Sequence, residues 1–224
     1  MATVVVTGAD RGIGLALASG YHARGDRAVA ACLGDGHLPS ESGIEAVADV
    51  DVTRRESFAA LRQHLADAPV DVLICNAGIG GFDDWGTLDY DAMMRQYDVN
   101  ALGPLRSVQE LDRHLHRGAK IGIVTSRVGS IADNGSGGNY GYRMSKCAAN
   151  ALGVNLYHEL RPRGIAVMLL HPGQVATDMT RGYEHLGDFI TPETAASGLM
   201  AQLDGLSGDT PPEFRSRDGT LLPW

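Results

Sequence analysis

The chain has 224 residues, enough for one large domain or two small ones, and its 44% hydrophobic and 21% charged residues are ordinary for a globular protein. Its formal net charge of −8 argues against a nucleic-acid-binding protein, because that class is usually basic. The three cysteines, Cys32, Cys75 and Cys147, are isolated in the sequence, and the eight histidines show no metal-binding spacing. We therefore predict neither a disulfide framework nor a metal site.

The sequence shows no feature of a membrane or exported protein. Its longest apolar runs are too short to span a bilayer, and the first residues lack the basic leader of a signal peptide. Reduced, isolated thiols suit a cytosolic environment. We expect a cytoplasmic protein with neither a membrane nor a nucleic acid as its partner.

Short apolar runs alternate along the chain with longer amphipathic stretches. We predict strands at 3–8, 26–33, 45–52, 70–78, 119–126, 165–173 and 219–224. We predict helices at 12–25, 57–67, 140–161 and 191–206, and one or two helices within 89–117, with a break near the Gly-Pro pair at 103–104. This alternation is typical of a parallel sheet that is covered on both faces. The predicted fold is α/β, one doubly wound parallel sheet in a single domain, residues 1–224.

A glycine-rich loop, "TGADRGIG" at 7–14, follows the first strand and opens the first helix. Parallel sheets bind ligands at the carboxyl ends of their strands, and glycines there permit a tight turn and a close approach of the backbone to a pyrophosphate. The helix N-terminus adds unpaired N–H groups and a positive dipole end. We predict nucleotide binding, with a strand–helix turn that binds no ligand as the alternative. The predicted binding residues are Gly8, Asp10, Arg11, Gly12, Ile13 and Gly14.

Tyr142 and Lys146 stand four residues apart at the start of the predicted helix 140–161. Side chains at this spacing share one face of a helix, with their Cβ atoms about 5–6 Å apart. A tyrosine with its ordinary pKa near ~10 is a poor base at neutral pH, and a nearby cation lowers that pKa. The pair therefore predicts a general acid/base, Tyr142, tuned by Lys146 for an alcohol–carbonyl exchange. The alternative is a solvated pair on a helix surface.

These features, taken with others further along the chain, resemble the short-chain dehydrogenase/reductase family. The shared motifs occur in the family's order, at 7–14, 75–78, 124–130, 142–146 and 171–179, so the resemblance covers the whole chain. Within the family, "GYRMSKCAAN" and "DGTLLPW" look most like the C-factor and sniffer-type carbonyl reductases. The resemblance implies a Rossmann-like fold and an oxidoreductase that transfers a hydride between a nicotinamide cofactor and a carbonyl or alcohol substrate. A non-catalytic nucleotide-sensing or signalling protein on the same fold is the alternative.

The resemblance also implies roles for individual residues. Asn100 would hold a water against Lys146, and both Tyr142 and Lys146 would contact the cofactor, with Lys146 hydrogen bonding to the nicotinamide ribose. Asp51 and Val52 match the family's adenine-contacting pair, with Asp49 as the alternative to Asp51. The other implied cofactor residues are Asn76, Ala77, Gly78, Pro172, Gly173, Val175 and Thr177.

Two serines compete for the position that would donate to the substrate's carbonyl oxygen. Ser126 lies 16 positions before Tyr142 and Ser130 lies 12 before it, and the family spacing near 13 favours Ser130. The flanking residues "TSRVG" match the family's motif with Ser126 in the reacting place. We predict Ser126 and keep Ser130 as the alternative.

The sequence gives mixed signals on the cofactor and the substrate. Neither Cys32 nor Leu33, at the end of the second strand, is the acid typical of NAD(H) or the arginine typical of NADP(H), and Arg11 is the one cation well placed for a 2′-phosphate. We predict NADP(H), with NAD(H) as the alternative. An apolar or aromatic substrate is suggested by the side chains of the loop 179–190, namely Met179, Tyr183, Leu186 and Phe189; a plain surface loop is the alternative. We also expect a homo-oligomer, a dimer or a tetramer.

Overall fold

The computed structural model describes residues 1–35, 43–182 and 187–224. Its strands are β1 (Thr3–Thr7), β2 (Arg27–Ala31), β3 (Glu45–Val47), β4 (Val70–Cys75), β5 (Leu115–Val124), β6 (Ala166–His171) and β7 (Phe214–Ser216). Its α-helices are α1 (Gly12–Ala23), α2 (Phe58–Leu65), α3 (Tyr90–Tyr97), α4 (Gly103–Leu111), α5 (Tyr140–Leu160) and α6 (Pro192–Asp204). Within the described ranges, these strands form one parallel sheet in the order β3-β2-β1-β4-β5-β6-β7.

Helices cover both faces of this sheet because its strands are apolar on both sides. In β1, Val5 packs into one core with residues of α2, α4 and α5, while its neighbours Val4 and Val6 pack into a second core with residues of α1 and α6. Successive side chains of a strand point to opposite faces, so a run of valines feeds both cores. The predicted α/β fold with a doubly wound parallel sheet is confirmed.

Three predicted elements were wrong in their extent. β3 covers Glu45–Val47 instead of 45–52, because Asp49 has a φ of +56° and turns the chain. The predicted helix to 117 overruns, because Leu115 already pairs with Val70 in the sheet. The final strand is Phe214–Ser216 and not 219–224, because the chain turns back at Gly219 (φ +88°).

The Gly-Pro pair at 103–104 does not break the helical run. A π-helical turn, Asp98–Leu102, joins α3 to α4, and Pro104 lies in the first turn of α4, where its missing N–H costs little. Single π-helical turns inside helices often occur at functional sites. This one carries Asn100, whose side chain is buried.

None of the helices in the described part of the chain has both the length and the apolar character that a membrane span requires.

Candidate active site

A cavity of about 1500 Å³ runs along the carboxyl ends of the strands. Each of the five central strands β1, β2, β4, β5 and β6 is followed by a residue that lines it, and these residues are Gly8, Leu33, Asn76, Ser126 and Pro172. At one end lie the glycine loop and the residues after β2 and β3, and at the other lie Tyr142 and Lys146. Almost all of the predicted site residues line it; Gly14 and Asn100 do not.

Close backbone contacts shape the glycine-loop end. Gly8 has a φ of +62°, and a Cβ built there would lie 2.7 Å from the Cα of Ala77. A Cβ built at Gly14 would lie 2.1 Å from the carbonyl oxygen of Gly8, so Gly14 packs beneath the loop instead of lining the cavity. Asn76 Nδ2 donates to the carbonyls of Thr7 (3.1 Å) and Gly8 (3.0 Å). The loop thereby opens the N-terminus of α1 toward the cavity.

Arg11 lies at this end on the residue that precedes α1, with 74% of its side chain exposed. Its Nε lies 3.5 Å from Asp178 Oδ2, and its Nη1 lies 3.9 Å from Asp10 Oδ2. Leu33, which is 60% exposed, forms part of the same wall. The cation predicted to bind a 2′-phosphate is therefore already shared between two carboxylates.

Asp51 and Val52, the predicted adenine contacts, also line this end. Asp51 Oδ1 accepts hydrogen bonds from the N (2.9 Å) and the Oγ1 (2.7 Å) of Thr53. The backbone oxygen of Val52 accepts from Arg106 Nη1 at 3.2 Å. Both residues are thus held by hydrogen bonds, a local one for Asp51 and a long-range one for Val52, that leave them on the cavity wall.

Tyr142 and Lys146 share one face of α5 at the other end. Lys146 is only 4% exposed, its Nζ donates to the carbonyl of Val124 at 3.0 Å, and that Nζ lies 5.6 Å from the ring centroid of Tyr142. Burial lowers the pKa of Lys146 to about 8. The expected lowering of the Tyr142 pKa by Lys146 is not found, because burial raises the pKa of Tyr142 to about 12 while the nearby Ser126 side chain acts in the opposite direction. The phenol is therefore protonated at neutral pH, which is the state of a proton donor.

The two candidate serines lie in different surroundings. Ser126 follows β5, lines the cavity, and accepts a hydrogen bond from the N–H of Val128 at 3.4 Å. Ser130 is buried away from the cavity; its Oγ donates to the carbonyl of Trp224 and accepts from the N–H of Asp133, both at 3.1 Å. Of the two hydroxyls, that of Ser126 is the one within reach of a ligand beside Tyr142.

Asn100 lies behind the cavity wall. Its Oδ1 accepts from the N–H of Ile79, and its Nδ2 donates to the carbonyl of Ile79 and to Ser145 Oγ, each at 2.9 Å. A Cβ built at Gly78 would lie 3.2 Å from Asn100 Oδ1 and 3.5 Å from Lys146 Nζ, so the three residues meet at one point. In this structure the side chain of Asn100 fixes the segment after β4 through Ile79. That Asn100 also binds a water beside Lys146 stays a prediction.

The segment after β6 forms the remaining wall. Pro172, Gly173, Val175 and Thr177 line the cavity, and Val175 forms a parallel bridge with Ile190. Of the loop residues expected near the substrate, Met179 and Phe189 also line the cavity, while Tyr183 and Leu186 lie outside the described residues.

Some cavity residues were not predicted from the sequence. They include Phe82, Val128, Arg143 and His171. Arg143 follows Tyr142 in the motif and could have been suspected, but nothing in the sequence around Phe82 indicates a cavity. Within the described ranges, no group of three or more His, Cys, Asp or Glu side chains could hold a metal ion.

Comparison with known proteins identifies the family. A model of the short chain dehydrogenase family matches residues 2–185. The chain belongs to this family. It is an oxidoreductase on a Rossmann-like fold, and the resemblance drawn from its motifs is confirmed.

Two relatives and one solved structure illustrate its place in the family. The chain is 47% identical to 1-hydroxy-2-glutathionyl-2-methyl-3-butene dehydrogenase of Rhodococcus sp. (strain AD45), with 100% of both chains covered. It is 41% identical to C-signal of Myxococcus xanthus, over 74% of this chain and 99% of that one. An NADPH-bound carbonyl reductase from chicken fatty liver superposes with a TM-score of 0.86 and 27% identity, over 99% of this chain and 98% of that one.

Proposed function

We propose that residues 1–224 form a single catalytic domain that interconverts a carbonyl compound and an alcohol with a nicotinamide cofactor, with Tyr142 as the general acid/base. One observation carries the proposal: a single cavity joins the glycine loop at the start of α1 to Ser126, Tyr142 and Lys146. A dinucleotide is long enough to need both ends of such a cavity. Its phosphates suit a helix N-terminus, and its reactive ring would then lie beside the proton donor.

The residues at the glycine-loop end fit this cofactor. Because a Cβ at Gly8 or Gly14 would collide with backbone atoms, the loop keeps a shape that leaves the N-terminal N–H groups of α1 open to a pyrophosphate. Asp51 and Val52 would hold the adenine, Asn76, Ala77 and Gly78 the ribose, and Pro172, Gly173, Val175 and Thr177 the nicotinamide. When bound, the cofactor supplies the hydride.

Side chains of this protein donate the proton and stabilise the negative charge that develops on the substrate oxygen. Tyr142, whose pKa burial raises to about 12, holds a proton at neutral pH and can donate it to a carbonyl oxygen. The hydroxyl of Ser126 can donate a second hydrogen bond to the same oxygen as negative charge grows on it. Lys146 would hold the ribose, and Asn100 would place a water near Lys146 that connects to solvent.

NADP(H) is the proposed cofactor, with NAD(H) as the alternative. The chicken carbonyl reductase, described as NADPH-bound, supports this choice, as does the position of Arg11 at the glycine-loop end. The preference should be modest, because Asp10 and Asp178 compete for the guanidinium of Arg11.

The substrate end combines an apolar wall with a cation. Ile79, Phe82, Met179 and Phe189 line it and support an apolar or aromatic group on the substrate. Arg143 lines it too, and it donates to the carbonyl of Val128 at 3.2 Å and to Ser136 Oγ at 2.8 Å. Because the Rhodococcus relative is a dehydrogenase of a glutathionyl alcohol, an alcohol that carries a glutathione thioether, with its apolar carbons and carboxylates, belongs among the first substrates to test.

The alternative is a non-catalytic nucleotide-sensing or signalling protein, to which the C-signal relative draws attention. The presence of Ser126, Tyr142 and Lys146 at one end of the cavity favours the enzyme. A cytoplasmic location and assembly into dimers or tetramers stay predictions from the sequence.

The test is a substrate screen that follows the absorbance of the reduced cofactor. Ketones and aldehydes would be tested with NADPH and NADH, and alcohols, including a glutathionyl alcohol, with NADP⁺ and NAD⁺. We expect turnover with at least one carbonyl–alcohol pair, and a loss of at least about 100-fold when Tyr142 is replaced by Phe. Cofactor binding without any turnover would favour the non-catalytic alternative.

A further inference from the structure

Helix α5 begins without a cap of its own. The preceding residue, Asn139, has a φ of +50°, and its side chain makes no capping hydrogen bond. The first N–H groups of a helix have no partner within the helix and must find one elsewhere. Here, Tyr140 N and Gly141 N donate to the carboxylate of Asp83, the latter at 3.0 Å, and Asn139 N donates to the backbone oxygen of Asp83 at 3.1 Å.

Asp83 is distant in sequence from α5, and it ends a short segment of the cavity wall. We name residues 79–83 the wall segment, since Ile79, Gly80, Gly81 and Phe82 all line the cavity. At its other end, Asn100 holds Ile79 through both the N–H and the carbonyl, at 2.9 Å each. The wall segment is therefore attached at one end to the turn that carries Asn100 and at the other to the helix that carries Tyr142.

We propose that Asp83 is a positioning residue for the reaction, which fixes the first turn of α5, and with it the Tyr142 phenol, against the wall segment that contacts the substrate. This inference rests on the proposed function for the role of Tyr142. A carboxylate at a helix N-terminus satisfies the free N–H groups and also interacts favourably with the helix dipole. Tyr142 lies within the same turn, so fraying of that turn would move its phenol.

The neighbouring residue provides a matched control. Asp84 is exposed, and its backbone oxygen accepts from Thr87 N at 3.0 Å, a contact that a change of side chain leaves in place. Asp83→Ala and Asp84→Ala thus remove the same charge one residue apart, and only the first removes the cap. Asp83→Asn keeps one acceptor oxygen and provides a milder variant if Asp83→Ala folds poorly.

The experiment has two readouts that fail independently. Hydrogen exchange of the amides of residues 140 and 141 reports on the cap and needs no turnover. In Asp83→Ala we expect at least about tenfold faster exchange there, with a smaller increase in Asp83→Asn and none in Asp84→Ala. Unchanged exchange in both Asp83 variants would overturn the proposal, whatever the substrate screen shows.

Kinetics then test whether the cap positions the phenol. With a substrate from the screen, we expect Asp83→Ala to lower kcat about tenfold or more and to leave the KM for the cofactor unchanged. Combined with Tyr142→Phe, Asp83→Ala should cause no further loss of kcat, because two changes that act on one group are not additive. A kcat equal to that of Asp84→Ala, or a full additional loss in the double variant, would contradict a positioning role.

Discussion

The two ends of the cavity are shaped by different features of the chain, namely close backbone packing at one end and buried side chains at the other. At the glycine-loop end, close backbone packing shapes the loop, because a Cβ at Gly8 or Gly14 would collide with neighbouring backbone atoms. At the other end, the surface is made of side chains on α5 and on the loops after β4 and β5, with Lys146 almost fully buried. Backbone N–H groups can bind the pyrophosphate that NAD(H) and NADP(H) share, whereas a buried side chain can hold a proton at one defined atom.

This difference implies that the two ends can be impaired separately. Loss of the Tyr142 or Ser126 hydroxyl should affect turnover and leave cofactor affinity nearly intact. A change on the wall formed by Arg11 and Leu33 should affect the choice of cofactor and leave the chemical step intact. The variants below test that separation.

The largest effect is expected for Tyr142→Phe. The ring stays and only the proton donor is lost, so turnover should fall at least about 100-fold, since positioned acid–base groups typically contribute 10²–10⁴-fold. The initial rate of cofactor oxidation with a carbonyl substrate measures it. A variant that keeps more than about a tenth of the wild-type rate would show that another group donates the proton.

The two serines should separate turnover from stability. Ser126→Ala removes a cavity hydroxyl beside Tyr142, and we expect turnover to fall at least about tenfold. Ser130→Ala removes a buried hydroxyl that bonds to Trp224, so it should cost about 1 kcal/mol of unfolding free energy and change turnover little. Rates and thermal melts of both variants measure this, and a large loss of turnover confined to Ser130→Ala would reverse the assignment.

Lys146→Met should show how much the buried ammonium of Lys146 lowers the unfolding free energy of the wild type. Burial lowers the pKa of Lys146 from its ordinary 10.5 to about 8, so between these values the unfolded chain binds a proton that the folded protein does not. The wild type is therefore penalised most below about pH 8, by up to about 3 kcal/mol, and the penalty fades as the pH rises toward 10.5. We expect the variant's advantage in unfolding free energy, measured by denaturant titration, to shrink across that window while activity is lost at every pH. If the unfolding free energies of the wild type and the variant differed by the same amount at every pH, the lowered pKa of Lys146 would be contradicted.

The smallest effects concern the choice of cofactor. Leu33→Arg adds a cation to an exposed position on the cofactor wall and should tighten NADPH binding by about 1–2 kcal/mol, or roughly tenfold, without changing NADH binding. Arg11→Ala should weaken NADPH binding by less than that, because Asp10 and Asp178 already share the guanidinium. Fluorescence titrations with both reduced cofactors measure these changes. Equal weakening of both by Arg11→Ala would make Arg11 a loop-stabilising residue.

The sequence predicted most of the fold and the glycine-loop end, because both depend on local patterns. Apolar runs between amphipathic helices predict the parallel sheet, and a backbone site has a glycine spacing that can be read directly. The boundaries of some elements were wrong for reasons that the hydrophobic pattern does not reveal. Examples are the left-handed backbone of Asp49 and the pairing of Leu115 with Val70.

The substrate end could be predicted only in part. Tyr142 and Lys146 stand one helical turn apart, so their pairing is local, but the raised pKa of Tyr142 comes from its burial in the fold, which residue spacing does not reveal. The contact of Asp83 with α5 spans 57 and 58 positions, and no spacing rule connects them. Long-range side-chain contacts of this kind emerge only from the fold.

The most direct test is the affinity of Tyr142→Phe for NADPH, measured by fluorescence titration on the same preparation whose turnover has been determined. If the glycine-loop end holds the cofactor and the Tyr142 end supplies the proton, the dissociation constant should stay within about threefold of the wild-type value while turnover is lost. If the affinity falls in step with the turnover, the two ends do not act separately, and Tyr142 serves mainly to bind the cofactor.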